Sequence, residues 1–268
     1  MACDLSIVVP AYNEAGRIVA TLRAILDYVD RKSLAAEVIL CADGADGTRE
    51  AAAELARHDA RVIVMGQIER LGKGRGVREG VLRATGDVIG FVDADYKTPI
   101  EELDNLLPHL NGGADVVIGS RKLATSCIDV RQPLYRRVGS SAFHAVMSRL
   151  VGLHGIADTQ CGFKFFRREV AQRIFSMQQV DGYMFDVEIL RLAMMLGYTI
   201  REVPVRWRDD GDSRYNPIVG TLRNARELLR IRRLRYVGEL EIKMAKAESL
   251  AQTRITKPES PNQCSNDE

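Results

Sequence analysis

The sequence predicts an α/β protein built on a mostly parallel sheet, and three observations carry that expectation. Short β-rich runs alternate with helical patterns as far as Arg121. Several of these runs end in acids and glycines, the composition of ligand-binding strand ends in an open α/β sheet. The chain, at 268 residues, is long enough to bury a full core. Strand, helix and strand repeated in this way imply right-handed crossovers between parallel strands.

The elements run in order along the chain. Residues 5–10 are apolar and rich in β-branched side chains, which suits a buried strand. Ile18, Leu22, Ile25, Leu26 and Val29 then recur at helical spacing. Further strands are expected at 37–42, 61–65, 88–92 and 115–119, with Leu103, Leu106, Leu107 and Leu110 marking a helix before the last. Beyond Arg121 the pattern changes. A polar, basic stretch through Arg137 reads as a mobile loop, followed by a helix near 139–150 and a strand at 161–166. Phe185, Ile189, Leu192 and Leu196 line one face of another helix; 199–205 reads as strand, 207–217 as loop, and a last helix starts near Ile218. After Gln252 the chain is polar, carries two prolines and is expected to be disordered. This divides the chain into a main domain (1–217), a basic helix (218–252) and a tail (253–268), with no internal repeat.

Composition excludes some classes. The 38 basic and 36 acidic residues nearly cancel, so nothing in the bulk charge points to nucleic acid. Five cysteines, Cys3, Cys41, Cys127, Cys161 and Cys264, are scattered without a CxxC pair. That favours reduced thiols in the cytosol over disulfides or zinc. A strand begins within a few residues of Met1, so no signal peptide is expected. No apolar run reaches the roughly 20 residues that span a bilayer. The expectation is a cytoplasmic protein, soluble or peripheral at the inner face of a membrane; oligomerisation is left open.

Four motifs carry chemistry. The first, Val9-Pro10-Ala11-Tyr12-Asn13-Glu14, reads as a strand ending in a Pro turn that exposes an aromatic ring and a carboxylate, groups that suit a nucleoside. In the second, Ala42-Asp43-Gly44-Ala45-Asp46-Gly47-Thr48, Asp43 suits a base or ribose donor, while Asp46 and Thr48 are expected to cap the next helix. The third, Gly72-Lys73-Gly74-Arg75-Gly76, fails the dinucleotide pattern at Glu79 and the P-loop pattern at Gln67 and Gly74. It remains a flexible cationic helix start that favours an anion. The fourth is Asp93-Ala94-Asp95, two carboxylates one residue apart at a strand end, where side chains two apart point the same way. Such a pair can hold a hard divalent cation against phosphate, or simply cap the helix that comes next.

Taken together, the ordered series VVPAYNE, ADGADGT, GKGRGVREG, GDVIGFVDAD, ADVVIGSR, DTQCGFKFF, FDVEIL and EVPVRW resembles a family 2 glycosyltransferase of GT-A fold. It is most similar to the polyprenyl- and dolichyl-phosphate hexosyltransferases, with the dolichyl-phosphate glucosyltransferase branch nearest. The resemblance covers residues 5–214. It implies that Pro10, Ala11, Tyr12 and Glu14 frame the nucleotide and that Asp43 completes the base and ribose pocket. Asp93, Ala94 and Asp95 would face the donor, Asp93 at its ribose or sugar and Asp95 as ligand to Mg²⁺ or Mn²⁺ bridging the diphosphate, with Asp93 the second acid of the metal pair. Asp158 would lie beside the anomeric carbon. Arg121, with an arginine among Arg131, Arg136 and Arg137, would hold an acceptor phosphate. Ser213-Arg214 matches the family's loop over the donor phosphates.

The chain departs from that pattern in three places. Ala42-Asp43 stands for a usual aspartate pair, in a loop one residue shorter. Lys97 occupies a position that is neutral in many relatives, from which it would reach the diphosphate. The family's membrane-spanning C-terminal segments are absent from this sequence.

The resemblance thus implies an inverting, metal-dependent hexosyltransferase. A divalent ion with Lys73, Lys97 or Arg214 would stabilise the leaving nucleoside diphosphate. UDP-glucose is the favoured donor, with GDP-mannose as the other option, and a polyprenyl phosphate is the preferred acceptor. A phosphate acceptor is already anionic and suits arginine forks; a hydroxyl acceptor would need a general base, and Asp158 is the candidate. Two other readings compete: the same donor chemistry onto a soluble phosphorylated molecule or protein side chain, and a nucleotide-sugar-binding subunit without turnover. Bland roles compete as well. Asp158 suits a turn cap, Arg121 a solvated charge, Glu188 an internal partner for an arginine, and Trp207 a packing anchor or a sugar platform. His144, His154 and Cys161 read as structural. Thr221 to Arg235 carries six arginines and one glutamate, which suits an anionic membrane surface. Its helical wheel puts Leu222, Ala225, Leu229, Tyr236 and Leu240 on one face, interrupted by Arg233.

Overall fold

The computed structural model describes residues 3–126, 148–208, 217–234 and 236. Arg131, Arg136, Arg137, His144 and Arg214 therefore lie outside the described residues, as do most of the helix expected near 139–150 and the tail from 253.

Among the described residues seven strands form one sheet: β1 (Leu5–Tyr12), β2 (Ala36–Asp43), β3 (Val62–Met65), β4 (Val88–Val92), β5 (Val116–Ser120), β6 (Phe163–Arg167) and β7 (Ile200–Pro204). Their order is β3-β2-β1-β4-β6-β5-β7. All neighbours run parallel except β6, which is antiparallel to both β4 and β5. The expectation of a mostly parallel sheet holds. Because the parallel strands end on the edge at which β6 begins, the segments that follow them meet there, the one after β5 being the one that leads into β6.

Helices cover both faces. On one lie α1 (Ile18–Lys32), α2 (Thr48–His58) and α4 (Leu103–Asn111), the last entered through a 3₁₀ turn at Ile100–Glu102. Ile18, Leu22, Ile25 and Val29 of α1 pack with Leu103, Leu106 and Leu110 of α4 onto Ile7, Val9, Leu40 and Phe163. On the other lie α3 (Lys73–Arg83), α5 (Arg168–Met177), α6 (Phe185–Leu196) and α7 (Pro217–Arg233). Val77, Val81, Ile174, Val187, Leu190, Leu228 and Ile231 close the core there over Val8, Ile39, Phe91 and Ile118. Alternation along each strand feeds the two cores, as a sheet buried on both faces requires.

Two local expectations are corrected. The first strand does not end in a Pro turn: it continues to Tyr12, and Pro10 pairs with Cys41. Pairing with β4 has stopped at Val8, so at Pro10 the strand has one ladder neighbour and a missing N–H is tolerated. The expected face of the last helix is corrected in part. Among the described side chains Asn224, Leu228 and Ile231 of the helix are buried, with Tyr236 beyond it, while Ala225 and Leu229 face out; Leu222 and Leu240 lie outside the described side chains. Among the described residues no helix is long and apolar enough to cross a membrane.

Candidate active site

The edge where the loops meet gathers most of the residues singled out by sequence. After β4, Asp93 and Asp95 emerge on a tight turn. The Asp93 carbonyl accepts from Tyr96 N–H at 3.2 Å, and Tyr96 takes a left-handed φ of 54°. A bulky residue there is strained by about 1 kcal/mol or more. Tyr96 is held by its hydroxyl, which accepts from Ile100 N–H at 3.2 Å. The turn keeps both carboxylates partly open, with side chains 38% and 30% exposed.

Each carboxylate faces a lysine. Lys73 Nζ stands 2.6 Å from Asp93 Oδ1, and Lys97 Nζ stands 3.8 Å from Asp95 Oδ2. Burial acts to lower the Lys73 pKa, but the carboxylates of Asp93 and Asp186 overcome it and hold the ammonium above its ordinary value. Burial, then the charge of Asp93, pushes the Asp95 carboxyl above its ordinary value. A carboxylate so placed gains from a cation. Among the described residues no group of three or more His, Cys, Asp or Glu side chains converges on one point. A metal at Asp95 would therefore draw its remaining ligands from phosphate oxygens and water, as Mg²⁺ does. The donor set, hard oxygens open to the edge, fits such an ion.

Lys73 is delivered by the third motif. Gly72 adopts φ 117°, a left-handed conformation that favours glycine, and α3 starts at the next residue. This start is clamped rather than flexible. A Cβ on Gly72 would lie 2.3 Å from the Asp181 carbonyl oxygen, and one on Gly74 would lie 2.5 Å from that of Val180. The glycines let the 180–182 backbone close over the helix end, where the Asp181 carbonyl accepts from Arg75 N–H at 3.3 Å.

The first two motifs lie side by side. Tyr12 is exposed, and the Arg70 guanidinium stacks 4.2 Å from its ring centroid while donating to the Tyr183 hydroxyl at 3.0 Å. Asp43 Oδ2 accepts from Leu71 N–H at 2.8 Å, and its other oxygen makes no hydrogen bond among the described residues. Ala11 is half-buried beside Tyr12, and Glu14 sits on the turn behind, 2.9 Å from Arg17 Nε. Asp46 accepts from Thr48 N–H and Ala15 N–H, stitching the two loops together. Thr48 does not cap its own helix: its hydroxyl accepts from Glu14 N–H at 2.9 Å.

Across the edge, Arg121 and Asp158 form a clasp. The Arg121 backbone N–H and Nε donate to Asp158 Oδ2 at 3.0 and 2.7 Å, and a terminal guanidinium nitrogen donates to Oδ1 at 2.9 Å. Burial opposes ionisation, yet the Arg121 guanidinium holds the Asp158 carboxyl well below the usual carboxylate range. Arg121 is thus not a solvated charge, and Asp158 is poorly suited to accept a proton. Glu202 on β7 supports the clasp by accepting from the Ala157 and Asp158 N–H groups at 2.8 and 2.9 Å. Trp207 lies between the two sides of the edge, with Lys97 Nζ 5.6 Å and the Arg121 guanidinium carbon 5.5 Å from its ring. His154 is exposed and Cys161 buried, with burial pushing its thiol up to about 12.

Sequence reasoning missed Arg70, Tyr183, Glu202, Lys164 and Asp186. Lys164 and Asp186 carried a signal, each being a charge set among apolar neighbours, Phe163 and Phe165 for the one and Phe185 and Val187 for the other. Glu188, expected to pair with an arginine, instead accepts from Gln179 N–H, Val180 N–H and the Tyr236 hydroxyl at 2.8–3.0 Å. It orders the 178–181 segment that clamps α3.

The model of glycosyl transferase family 2 matches residues 6–175, well over half of the chain. The chain belongs to that family. It is 35% identical over 84% of its length to a dolichyl-phosphate β-glucosyltransferase of Trichomonas vaginalis, covering 69% of that protein. To the enzymes of that name from Drosophila melanogaster and Homo sapiens it is 35% and 32% identical, covering 74% and 76% of them. Among solved structures it superposes on glucosyl-3-phosphoglycerate synthase from Mycobacterium tuberculosis, crystallised with Mn²⁺, UDP-glucose and phosphoglyceric acid, with a TM-score of 0.63. The match has 20% identity and covers 85% of this chain and 78% of that one. Mannosyl-3-phosphoglycerate synthase from Rubrobacter xylanophilus gives 0.63 at 16% identity, over 98% and 79% of the two chains. At these identities the likeness concerns the fold, which is GT-A. The chain is a glycosyltransferase.

Proposed function

We propose that this glycosyltransferase moves glucose from UDP-glucose to a polyprenyl phosphate with inversion at the anomeric carbon, at the cytoplasmic face of a membrane. The observation that carries the acceptor class is the Arg121–Asp158 clasp. A hydroxyl acceptor needs a base, and Asp158, the carboxylate assigned that task, has its oxygens committed to a guanidinium. A phosphate monoester arrives already anionic, so it needs gripping rather than deprotonation. Relatives that are dolichyl-phosphate β-glucosyltransferases support both the sugar and the lipid.

On the donor side, Tyr12 and Asp43 receive the nucleoside, and Lys73 and Lys97 face the diphosphate. Asp95, with Asp93 beside it, would hold Mg²⁺ or Mn²⁺, which when bound neutralises charge on the leaving diphosphate. Lys73 supplies positive charge at the same place without a proton transfer, since its ammonium is held protonated. Arg121 stands across the edge, where a phosphate nucleophile would approach the sugar from the side opposite the leaving group.

Membrane contact falls to α7, where Arg226, Arg230 and Arg233 share an exposed face with Leu229. Such a face complements an anionic bilayer, each arginine contributing about 1 kcal/mol. The test is a transfer assay with radiolabelled UDP-glucose or GDP-mannose, with and without Mn²⁺, offering a short-chain polyprenyl phosphate or 3-phosphoglycerate. Glucosyl-prenyl phosphate formed only with metal is expected. Product with 3-phosphoglycerate and none with the prenyl phosphate would overturn the lipid acceptor. Sedimentation with phosphatidylserine vesicles checks the membrane face, which Arg226→Glu/Arg230→Glu should abolish.

A further inference from the structure

Beneath the donor side lies an ion pair to which the proposed reaction gives no role. Lys164, in the middle of β6, is fully buried, and its Nζ lies 2.5 Å from Asp186 Oδ1 near the start of α6, a carboxylate only 4% exposed. The same Nζ donates to the Cys161 carbonyl oxygen at 2.6 Å. Around the pair are aromatic rings: Lys164 Nζ is 5.4 Å from the Phe91 ring, and Lys73 Nζ is 5.8 Å from the Phe185 ring, next to Asp186. A buried ion pair in such surroundings is seldom better for stability than two well-packed apolar side chains. Its position therefore calls for another explanation.

The contacts give one. Asp186 follows Phe185, whose ring lies 5.8 Å from Lys73 Nζ, and its charge acts on that ammonium, which also meets Asp93 at 2.6 Å. Lys164 ties down the Cys161–Gly162 backbone, and that backbone abuts Asp93. Asp93 N–H donates to the Gly162 carbonyl at 3.1 Å, and a Cβ on Gly162 would fall 2.1 Å from Asp93 Oδ2. The pair thus touches both partners of the Lys73–Asp93 contact, one through charge and the other through backbone.

We propose that Lys164 and Asp186 are positioning residues for the donor diphosphate, acting on Lys73 through charge and on Asp93 through the Gly162 backbone so that both meet the donor in one fixed geometry. This rests on the nucleotide-sugar reaction proposed for the site.

The test replaces the pair with apolar side chains of similar size, Lys164→Met/Asp186→Leu. A merely structural pair predicts that this double variant folds and works. The positioning role predicts a melting temperature at or near that of the wild type, with kcat reduced about 100-fold, the scale of a 1 Å misplacement. The stabilisation by UDP with Mn²⁺ should fall with it. Wild-type kcat and an unchanged nucleotide shift in the folded double variant would overturn the proposal. Should the double variant not fold, Asp186→Glu keeps the charge but moves it by one methylene. A raised donor KM and lowered kcat at unchanged melting temperature supports positioning, and unchanged kinetics opposes it. If neither UDP nor GDP stabilises the wild type with Mn²⁺, the nucleotide-sugar reaction itself fails, which is a different result.

Discussion

From β1 to β4 the carboxylates of the reactive edge are delivered by short strand-to-helix turns and stay partly open, whereas from β5 to β7 they are buried in ion pairs between distant segments. Asp43, Asp93 and Asp95 each sit on or just past the strand that carries them. Arg121, by contrast, reaches an aspartate 37 residues away, and Lys164 one 22 residues away. The difference has an energetic consequence. A turn aspartate facing solvent can be removed with little harm to the fold. A buried partner cannot, because its removal leaves an uncompensated charge. Removing a carboxylate of the first half should cost activity alone, and removing one partner of a second-half pair both activity and stability.

The sharpest test is Asp95→Ala. Transfer should fall about 1,000-fold, the scale of losing a principal stabiliser of developing charge, while the melting temperature stays within a degree or two of the wild type. A large loss of stability there would erase the contrast. Asp158→Ala should lower transfer about 100-fold and destabilise by about 3 kcal/mol in urea titrations, since Arg121 is left half-buried and unpaired. Its pH dependence has a defined sign. The folded carboxyl lies below its unfolded value of about 4, so the stabilisation is present above that pH and is lost as pH falls through the folded value. Acid-unfolding curves of wild type and variant should therefore converge at low pH; curves that stay parallel would remove the ion pair as the cause.

Gly162→Ala sharpens the comparison at the seam between the halves. The new methyl would meet Asp93 Oδ2 at 2.1 Å, so either the carboxylate or the β6 entry must shift. A loss of about 1–3 kcal/mol, read by denaturant titration, should come with a raised donor KM. The smallest effect is expected for Tyr12→Ala, about 10-fold in UDP affinity by calorimetry, because one face of base stacking contributes about 1–3 kcal/mol. No change there would place the base elsewhere.

The same contrast explains what could be read in advance. The run at 88–92 matches β4 residue for residue, and the acids after it face the edge as expected, because alternation and strand-end composition are local properties. Pro10 misleads because whether a proline ends a strand depends on how many neighbours the strand has at that point. The arc of α7 misleads for a similar reason: Asn224 is buried and Leu229 exposed by the surface the helix meets, which a wheel does not contain. Lys164, between Phe163 and Phe165, reads in sequence as part of an apolar strand. Only the arrival of Asp186 from α6 gives its charge a partner. Arg121 and Asp158 both stand out in the sequence, but their mutual engagement belongs to the fold, and it turns a candidate base into a guanidinium's partner.

The reversal of β6 has an outcome for how such enzymes diversify. Its first residues lie beside the last of β5, with Ile118 opposite Lys164, so the intervening stretch leaves and re-enters the sheet at neighbouring points on one rim. A cassette with closely spaced anchors can be lengthened, shortened or exchanged at modest entropic cost. Its length can therefore change while the two strands that anchor it keep their register.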